Sequence, residues 1–394
     1  GQLIRVNDPH ENASWVYNYD RGGNITSKVK YAHTSGTLGT ALETIPYTYG
    51  DSNWKDKLTA YNGQAITYDA IGNPLNDGNW TYEWQAGRQL KRMSTEGASV
   101  SFKYDHNGMR VQKVLEHDWY PETTNYTLHG KLITHMTVDY TDLDEVPQQD
   151  NLHFFYDSQS RPAKMSFNGE MYTYVHNLQG DIVGILDSLG MLVVEYKYDA
   201  WGKLLGTTGT LADTLGKRNP FRYRGYVYDE ETELYYLRKR YYNSKQERFI
   251  NVDSIIAYNP FAYCANSPIV LVDPDGNLWR GAFHRRVQKD IIDRHGGIQM
   301  EVSVIKNTGG LGRIDLMRIS SGECWEVKPY YAFAAGSRQL EGYVRGKLLN
   351  ITSNIPLRRG GYIIPKTIEY EGYTVNYWYA GSGIILYTYT PSKK

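Results

Sequence analysis

Two short segments near the C-terminal end carry residue types that together can hydrolyse a phosphodiester. Gly312-Arg313-Ile314-Asp315-Leu316-Met317 and Glu323-Cys324-Trp325-Glu326-Val327-Lys328 both read as strands. Alternation puts Ile314 and Leu316 on one face and Asp315 on the other. In the second segment Trp325 and Val327 share a face, while Glu326 and Lys328 share the opposite one. The linker Arg318–Gly322 is short and contains Ser320-Ser321-Gly322, which predicts a hairpin. In that hairpin Asp315, Glu326 and Lys328 converge. Two carboxylates can hold magnesium or manganese through hard oxygen ligands. Such a metal lowers the pKa of a bound water and neutralises charge on a phosphodiester. A lysine beside it can position that water or stabilise the developing phosphorane charge. The plain alternative for the same residues is an exposed Glu-x-Lys pair on a sheet surface and a turn aspartate.

The elements that must position these residues lie between 278 and 394. A helix is predicted over Gly281–His295, with Phe283, Val287, Ile291 and Ile292 at helical spacing. Strands are predicted at Met300–Ile305, Gly312–Ile319, Glu323–Pro329, Gly361–Ile364, Tyr373–Tyr379 and Gly383–Tyr389. A second, proline-free helix is predicted over Ala332–Leu349. The order describes a small α/β or α+β domain of ordinary size. The net charge of zero hides an asymmetry: residues 278–394 hold 17 Lys+Arg against 9 Asp+Glu, and the rest holds 26 against 34. A basic end behind an acidic body points to an anionic partner.

The chain is anomalous in tyrosine, with 36 residues against 9 each of Phe and Trp. It repeats an aromatic, one residue, Tyr-Asp, two residues, then Gly or a substitute. The theme reads Tyr17-Asn18-Tyr19-Asp20, Tyr68-Asp69, Phe102-Lys103-Tyr104-Asp105, Tyr156-Asp157 and Tyr196-Lys197-Tyr198-Asp199. Each unit fits a strand with alternate aromatics on one face, closed by an Asx turn and a φ > 0 position. A unit of this kind buries its aromatic face only by stacking on neighbours. Residues 220–276 are denser still: Pro220-Phe221-Arg222-Tyr223-Arg224-Gly225-Tyr226, Tyr235-Tyr236-Leu237-Arg238, Arg240-Tyr241-Tyr242, Arg248-Phe249, Asn266-Ser267-Pro268 and Asp273-Pro274-Asp275-Gly276. Alternating aromatics and arginines fit strands with stacked side chains.

The repeats resemble YD repeats, the units of RHS proteins, of the ABC-toxin shell and of teneurin barrels. Residues 220–276 resemble the RHS-associated core that precedes a variable toxin domain. The resemblance implies three parts: a YD-repeat β region at 1–205, an RHS-associated core at 206–277 and a toxin domain at 278–394. The expected fold class is a mainly β YD-repeat shell or barrel fragment followed by a small α/β domain. That last domain resembles the PD-(D/E)xK, restriction-endonuclease-like nucleases. Carried over, the likeness makes Asp315 and Glu326 metal ligands for Mg2+ or Mn2+, Lys328 the catalytic lysine and Gln339 the helix glutamine. For the further upstream acid it favours Glu301 over Asp290 and Asp293. His284 on the first helix is as well explained by packing. In resembling cores two aspartates form a site that cuts the toxin free; Asp273 matches one motif, and Asp253 occupies the place of the other without its Pro and Gly.

The resemblance implies a nuclease toxin, secreted or delivered at a cell surface and acting in a target-cell cytoplasm. DNA is the favoured substrate class and RNA the other. An acidic immunity protein and the rest of the RHS shell are the implied partners. The rival reading is a teneurin-like adhesion or binding protein whose nuclease-like domain is inactive. Cys264 and Cys324 lie in different segments and form no disulfide framework or CxxC motif. No apolar run reaches membrane-spanning length. The chain has no initiator Met or signal peptide and begins inside a repeat, so a C-terminal fragment of something longer is expected.

Overall fold

The computed structural model describes residues 2–117, 120–252, 259–273, 276 and 291 in full and, beyond them, the backbone of the strands named below. The chain divides into two compact units, Gly1–Asn277 and Leu278–Lys394.

The first unit is built of antiparallel neighbours in sequence order. Six strands run from Arg5–Asp8 to Gln64–Ala65, fourteen from Thr67–Tyr68 to Leu204–Thr208, and four from Val227–Asp229 to Arg248–Phe249. The repeat sequence explains the hairpins. In the Asp105 turn the Asp105 amide donates to the Met109 carbonyl at 2.8 Å, and the Gly108 amide donates back to the Asp105 carbonyl at 3.0 Å. The Asp105 carboxylate accepts the amides of Asn107 and Met109. The fourth residue of the turn takes φ 75°, the left-handed value of a bulged hairpin. The same bonds recur at Asp20, Asp69, Asp157 and Asp199. At Gly202 the glycine is needed twice over: φ is 84°, and a Cβ there would lie 2.4 Å from the Tyr223 ring.

The tyrosine of each pair has its own task. Tyr19, Tyr68, Tyr104, Tyr156 and Tyr198 donate their hydroxyls to the carbonyls of Leu3, Leu58, Leu90, Ile133 and Ile182 at 2.6–2.9 Å. Each bond ties a turn to a carbonyl 10 to 23 residues earlier. Phenylalanine could fill the space but not make the bond.

One face of the fourteen-stranded sheet carries Leu90, Met93, Phe102, Leu152 and Ile185, all buried, against Phe221, Tyr236 and Tyr241 of the following segment. The arginines of that segment are internal. Arg222 and Arg240 are almost fully buried, with guanidinium carbons 4.2 Å from the Tyr196 ring centre and 3.4 Å from that of Phe249. Arg110 of the sheet meets Asp229 through two bonds of 2.6 and 3.0 Å, both side chains buried. Lys28 and Tyr47 of the six-stranded sheet both bond Glu247, which joins that sheet to the Val227–Phe249 hairpins.

Among the described residues of the second unit the fold is an eight-stranded mixed sheet. Its order is Lys347–Leu348, Ile298–Ile305, Leu311–Arg318, Glu323–Pro329, Ile384–Pro391, Tyr373–Gly381 and Lys366–Tyr370, with Arg358–Arg359 paired to Glu323–Cys324. The strand at Lys366–Tyr370 is absent from the sequence expectation, and the expected Gly361–Ile364 strand lies outside the described residues. The first expected helix also lies outside them except for Ile291, which is helical. The second expected helix, over 332–349, is corrected at its end. Lys347–Leu348 is a strand, because pairing with Val304 and Ile305 satisfies backbone groups at the sheet edge. The described residues of this unit are almost wholly strand, and most of both expected helices lies outside them.

Candidate functional site

The antiparallel hairpin of Leu311–Arg318 and Glu323–Pro329 pairs Leu316 with Trp325, Met317 with Cys324 and Arg318 with Glu323. Continued one step past its last pair, this register would set Asp315 opposite Glu326. On the other side Met300 pairs with Leu316 and Val302 with Ile314, so Glu301 stands opposite Asp315. Glu301, Asp315 and Glu326 thus occupy one row across three adjacent strands, and alternation gives them one face. Lys328 falls two residues beyond Glu326 on that face, paired in parallel with Leu386. The register also brings in a residue that sequence reasoning missed. Arg359 pairs in parallel with Cys324, two residues before Glu326. Its only local signal was the Arg358-Arg359 dipeptide in a basic segment. Gln339, Asp253, Asp290, Asp293 and His284 lie outside the described residues.

At the end of the first unit Asp273 is fully buried. Its carboxylate accepts the Gly276 amide at 2.8 Å and pairs with the Arg240 guanidinium at 3.3 Å. Arg240 in turn donates to the carbonyls of Gly276 at 2.6 Å and Pro260 at 3.0 Å. Both side chains therefore hold the last described turn of the unit. Asp273 also faces Cys264, whose thiol is pushed well above its ordinary pKa, first by burial and then by the nearby aspartate. Cys264, Ala265 and Asn266 form a run of left-handed backbone, with φ of 50°, 51° and 59°. For non-glycine residues this is a costly conformation. The run is held by packing and by links to the first repeat, where the Asn266 carbonyl accepts the Leu3 amide and the Asn266 side chain donates to the Gly23 carbonyl.

The turn aspartates show how burial sets charge. Asp105, Asp142 and Asp157 have pKa values below the ordinary carboxyl range, chiefly because backbone amides donate to them. Asp199 makes the same turn bonds, yet its pKa is raised to about 7, first by burial and then by the charge of Glu247.

Antiparallel sheets whose turns are tied by tyrosine-to-carbonyl bonds, with an arginine-rich hairpin segment packed on one face, are the architecture of a YD-repeat β shell. The chain belongs to the teneurin YD-shell family, whose model matches residues 1–270. It is 33% identical over 287 residues to the tRNA3(Ser)-specific nuclease WapA of Bacillus spizizenii, covering 70% of this chain and 11% of that one. It is 27% identical over 314 residues to the toxin subunit YenC1 of Yersinia entomophaga, covering 71% and 30%. Among solved structures, the TcdB2-TccC3-TEV crystal structure superposes with a TM-score of 0.55 at 20% identity, over 67% of this chain and 13% of that one. The chain therefore spans about a tenth of the length of the WapA relative. Among the described residues no helix is long and apolar enough to cross a membrane.

Proposed function

We propose that the chain is part of a delivered toxin, with its YD shell as carrier and residues 278–394 as a divalent-metal-dependent nuclease. The observation that carries this reading is the register row of Glu301, Asp315 and Glu326 with Lys328 beside it. Three carboxylates in a row are a hard oxygen donor set, the kind that suits Mg2+ or Mn2+ better than zinc. Asp315 and Glu326 would hold the ion, with Glu301 as the further acid. When bound, the ion supplies an acidified water and neutralises phosphate charge. Lys328 is suited to stabilising negative charge on the phosphorane, and Arg359 to holding a substrate phosphate. The role of Gln339 rests on the superfamily resemblance.

Superfamily resemblance favours DNA, whereas relatives are named as tRNA nucleases, so RNA stands beside it as substrate. The excess of basic residues in 278–394 supports a polyanionic substrate and an acidic immunity protein. Association with the rest of a shell, secretion, and action in a target-cell cytoplasm complete the reading. Release of the domain through Asp253 and Asp273 belongs to it as well. The test is incubation of the chain with plasmid DNA and with total RNA, with Mg2+ and with EDTA. Cleavage in Mg2+ that EDTA stops is the expected result. Intact plasmid and intact RNA under all conditions would favour the adhesion or binding reading.

A further inference from the structure

We infer that His135 and His153 form a binding site for one first-row divalent transition-metal ion, of the imidazole-preferring class of zinc, nickel and copper. The site lies on the face of the fourteen-stranded sheet turned away from its core. The strands Leu132–Thr141 and Pro147–Tyr156 run antiparallel, and their register sets His135 directly opposite His153. Their strand neighbours Met136, Leu152 and Phe154 are core residues, so alternation places both imidazoles on the outer face. His153 is exposed and His135 half-buried. Thr127 and Ser166 flank the pair in the same row of the sheet.

The two rings are stacked, with centres 4.2 Å apart and planes 21° from parallel. Each neutral ring offers one nitrogen lone pair. Two nitrogens on one ion, each at about 2.0–2.1 Å, stand roughly 3 Å apart with their lone pairs near right angles, so binding requires the two side chains to rotate out of the stack, for which the outer face of the sheet leaves room. The Nε2 of His135 lies 3.4 Å from the Oδ1 of Asn151, two residues from His153 on the same strand. That amide oxygen restrains the ring and can support a bound imidazole from behind. The nearest acid along the strand, Asp139, is occupied by the amides of Gln149 and Asn125. Among the described residues no third His, Cys, Asp or Glu completes a metal cluster. Water therefore fills the remaining positions, and the site is exchangeable and pH-dependent. A bound ion cross-links two neighbouring strands in the middle of the sheet.

The full chain is titrated with ZnCl2 or NiCl2 by calorimetry at pH 7.5, beside His135→Gln, His153→Gln and the double variant. The expected result is a saturable event weakened tenfold or more in each variant and abolished at pH 5.5. Zinc should raise the melting temperature of wild type and not of the double variant. Binding of equal strength in wild type and variants, or no saturable binding in wild type, overturns the site. A readout on wild type alone guards against misfolded variants. Saturating zinc should slow modification of His135 and His153 by diethyl pyrocarbonate, read by mass spectrometry. Undiminished modification of both overturns the site too.

Discussion

The hydroxyl of Tyr198 donates to the carbonyl of Ile182 at 2.9 Å, sixteen residues upstream. Because four other tyrosines make the equivalent bond, this contact represents the repeat. Tyr198→Phe keeps the ring and its packing and leaves a strand carbonyl without its donor. The cost is about 1 kcal/mol for one such bond. That corresponds to a fall of roughly 2–4 °C in melting temperature. Tyr120→Phe, at an exposed position, is the control. Equal melting of wild type and Tyr198→Phe would mean that the tyrosine serves packing alone.

A second prediction concerns pH. The carboxyl of Asp199 titrates at about 7, because burial and then the charge of Glu247 oppose its ionisation; Glu247 is also raised, by burial first. Between the ordinary value of 3.8 and about 7 the folded chain keeps a proton that the unfolded chain has released. Stability is therefore greatest at the acidic end of that window and falls as pH rises through 7. Asp199→Asn removes the charge while keeping the turn, since Asn177 makes the same amide bonds in its own turn. The variant should melt higher than wild type at pH 8 and lose most of the difference between pH 5 and pH 8, with Glu247 supplying the remainder. A wild-type slope in Asp199→Asn would place the pH dependence elsewhere.

How much of this was legible in the sequence depends on the distance over which the causes act. Five hairpins followed from Tyr-Asp pairs. Three more, at Asp142, Asn177 and Asp187, make the same turn bonds without a tyrosine before them. The turn needs an Asx acceptor and a left-handed fourth residue, and even the glycine is dispensable: Glu145 and Ser160 both adopt φ 63° there. At Asn177 the preceding residue is His176, and its Nε2 lies 2.7 Å from the Pro162 carbonyl, in the place of a tyrosine hydroxyl. Pairs such as Arg110 with Asp229 join residues that no local pattern connects. In the second unit alternation alone placed Asp315, Glu326 and Lys328 on shared faces. Arg359 could not be placed, because its position depends on a parallel pairing with Cys324 across 34 intervening residues.

The clamp at the end of the first unit gives a third prediction. Arg240 pairs with the fully buried Asp273 and donates to the Gly276 carbonyl. Arg240→Met keeps much of the stacking on Phe249 and leaves the buried carboxylate without that cation, at a cost of about 3–5 kcal/mol. Limited proteolysis should then cut faster at the 277–280 junction than in wild type. Asp273→Asn, which retains an acceptor for the Gly276 amide, should be milder. If Asp253 and Asp273 also cleave the chain, a longer protein carrying both units should yield a fragment beginning near 277–278. Asp253→Asn and Asp273→Asn should each stop that release. A single uncut band in wild type would leave Asp273 as a clamp and nothing more.

The last prediction tests the carboxylate row against a simple sheet surface. If Glu301, Asp315 and Glu326 act on one ion, no member is a spectator, although their weights differ. Asp315→Ala and Glu326→Ala each remove a proposed ligand and should lower nuclease activity by about 10²-fold or more, as should Lys328→Ala, which removes the charge proposed to stabilise the phosphorane. Glu301→Ala should cost less, and extra Mn2+ should restore part of the loss. Arg359→Ala should raise KM more than it lowers kcat, since a phosphate-holding contact is made in ground state and transition state alike. The melting temperature of each variant, read beside its activity, separates lost chemistry from a lost fold. The pattern across variants carries the test. Uniform loss with unfolding would signal only a damaged sheet. Full activity in both Asp315→Ala and Glu326→Ala would remove the metal site from this row altogether.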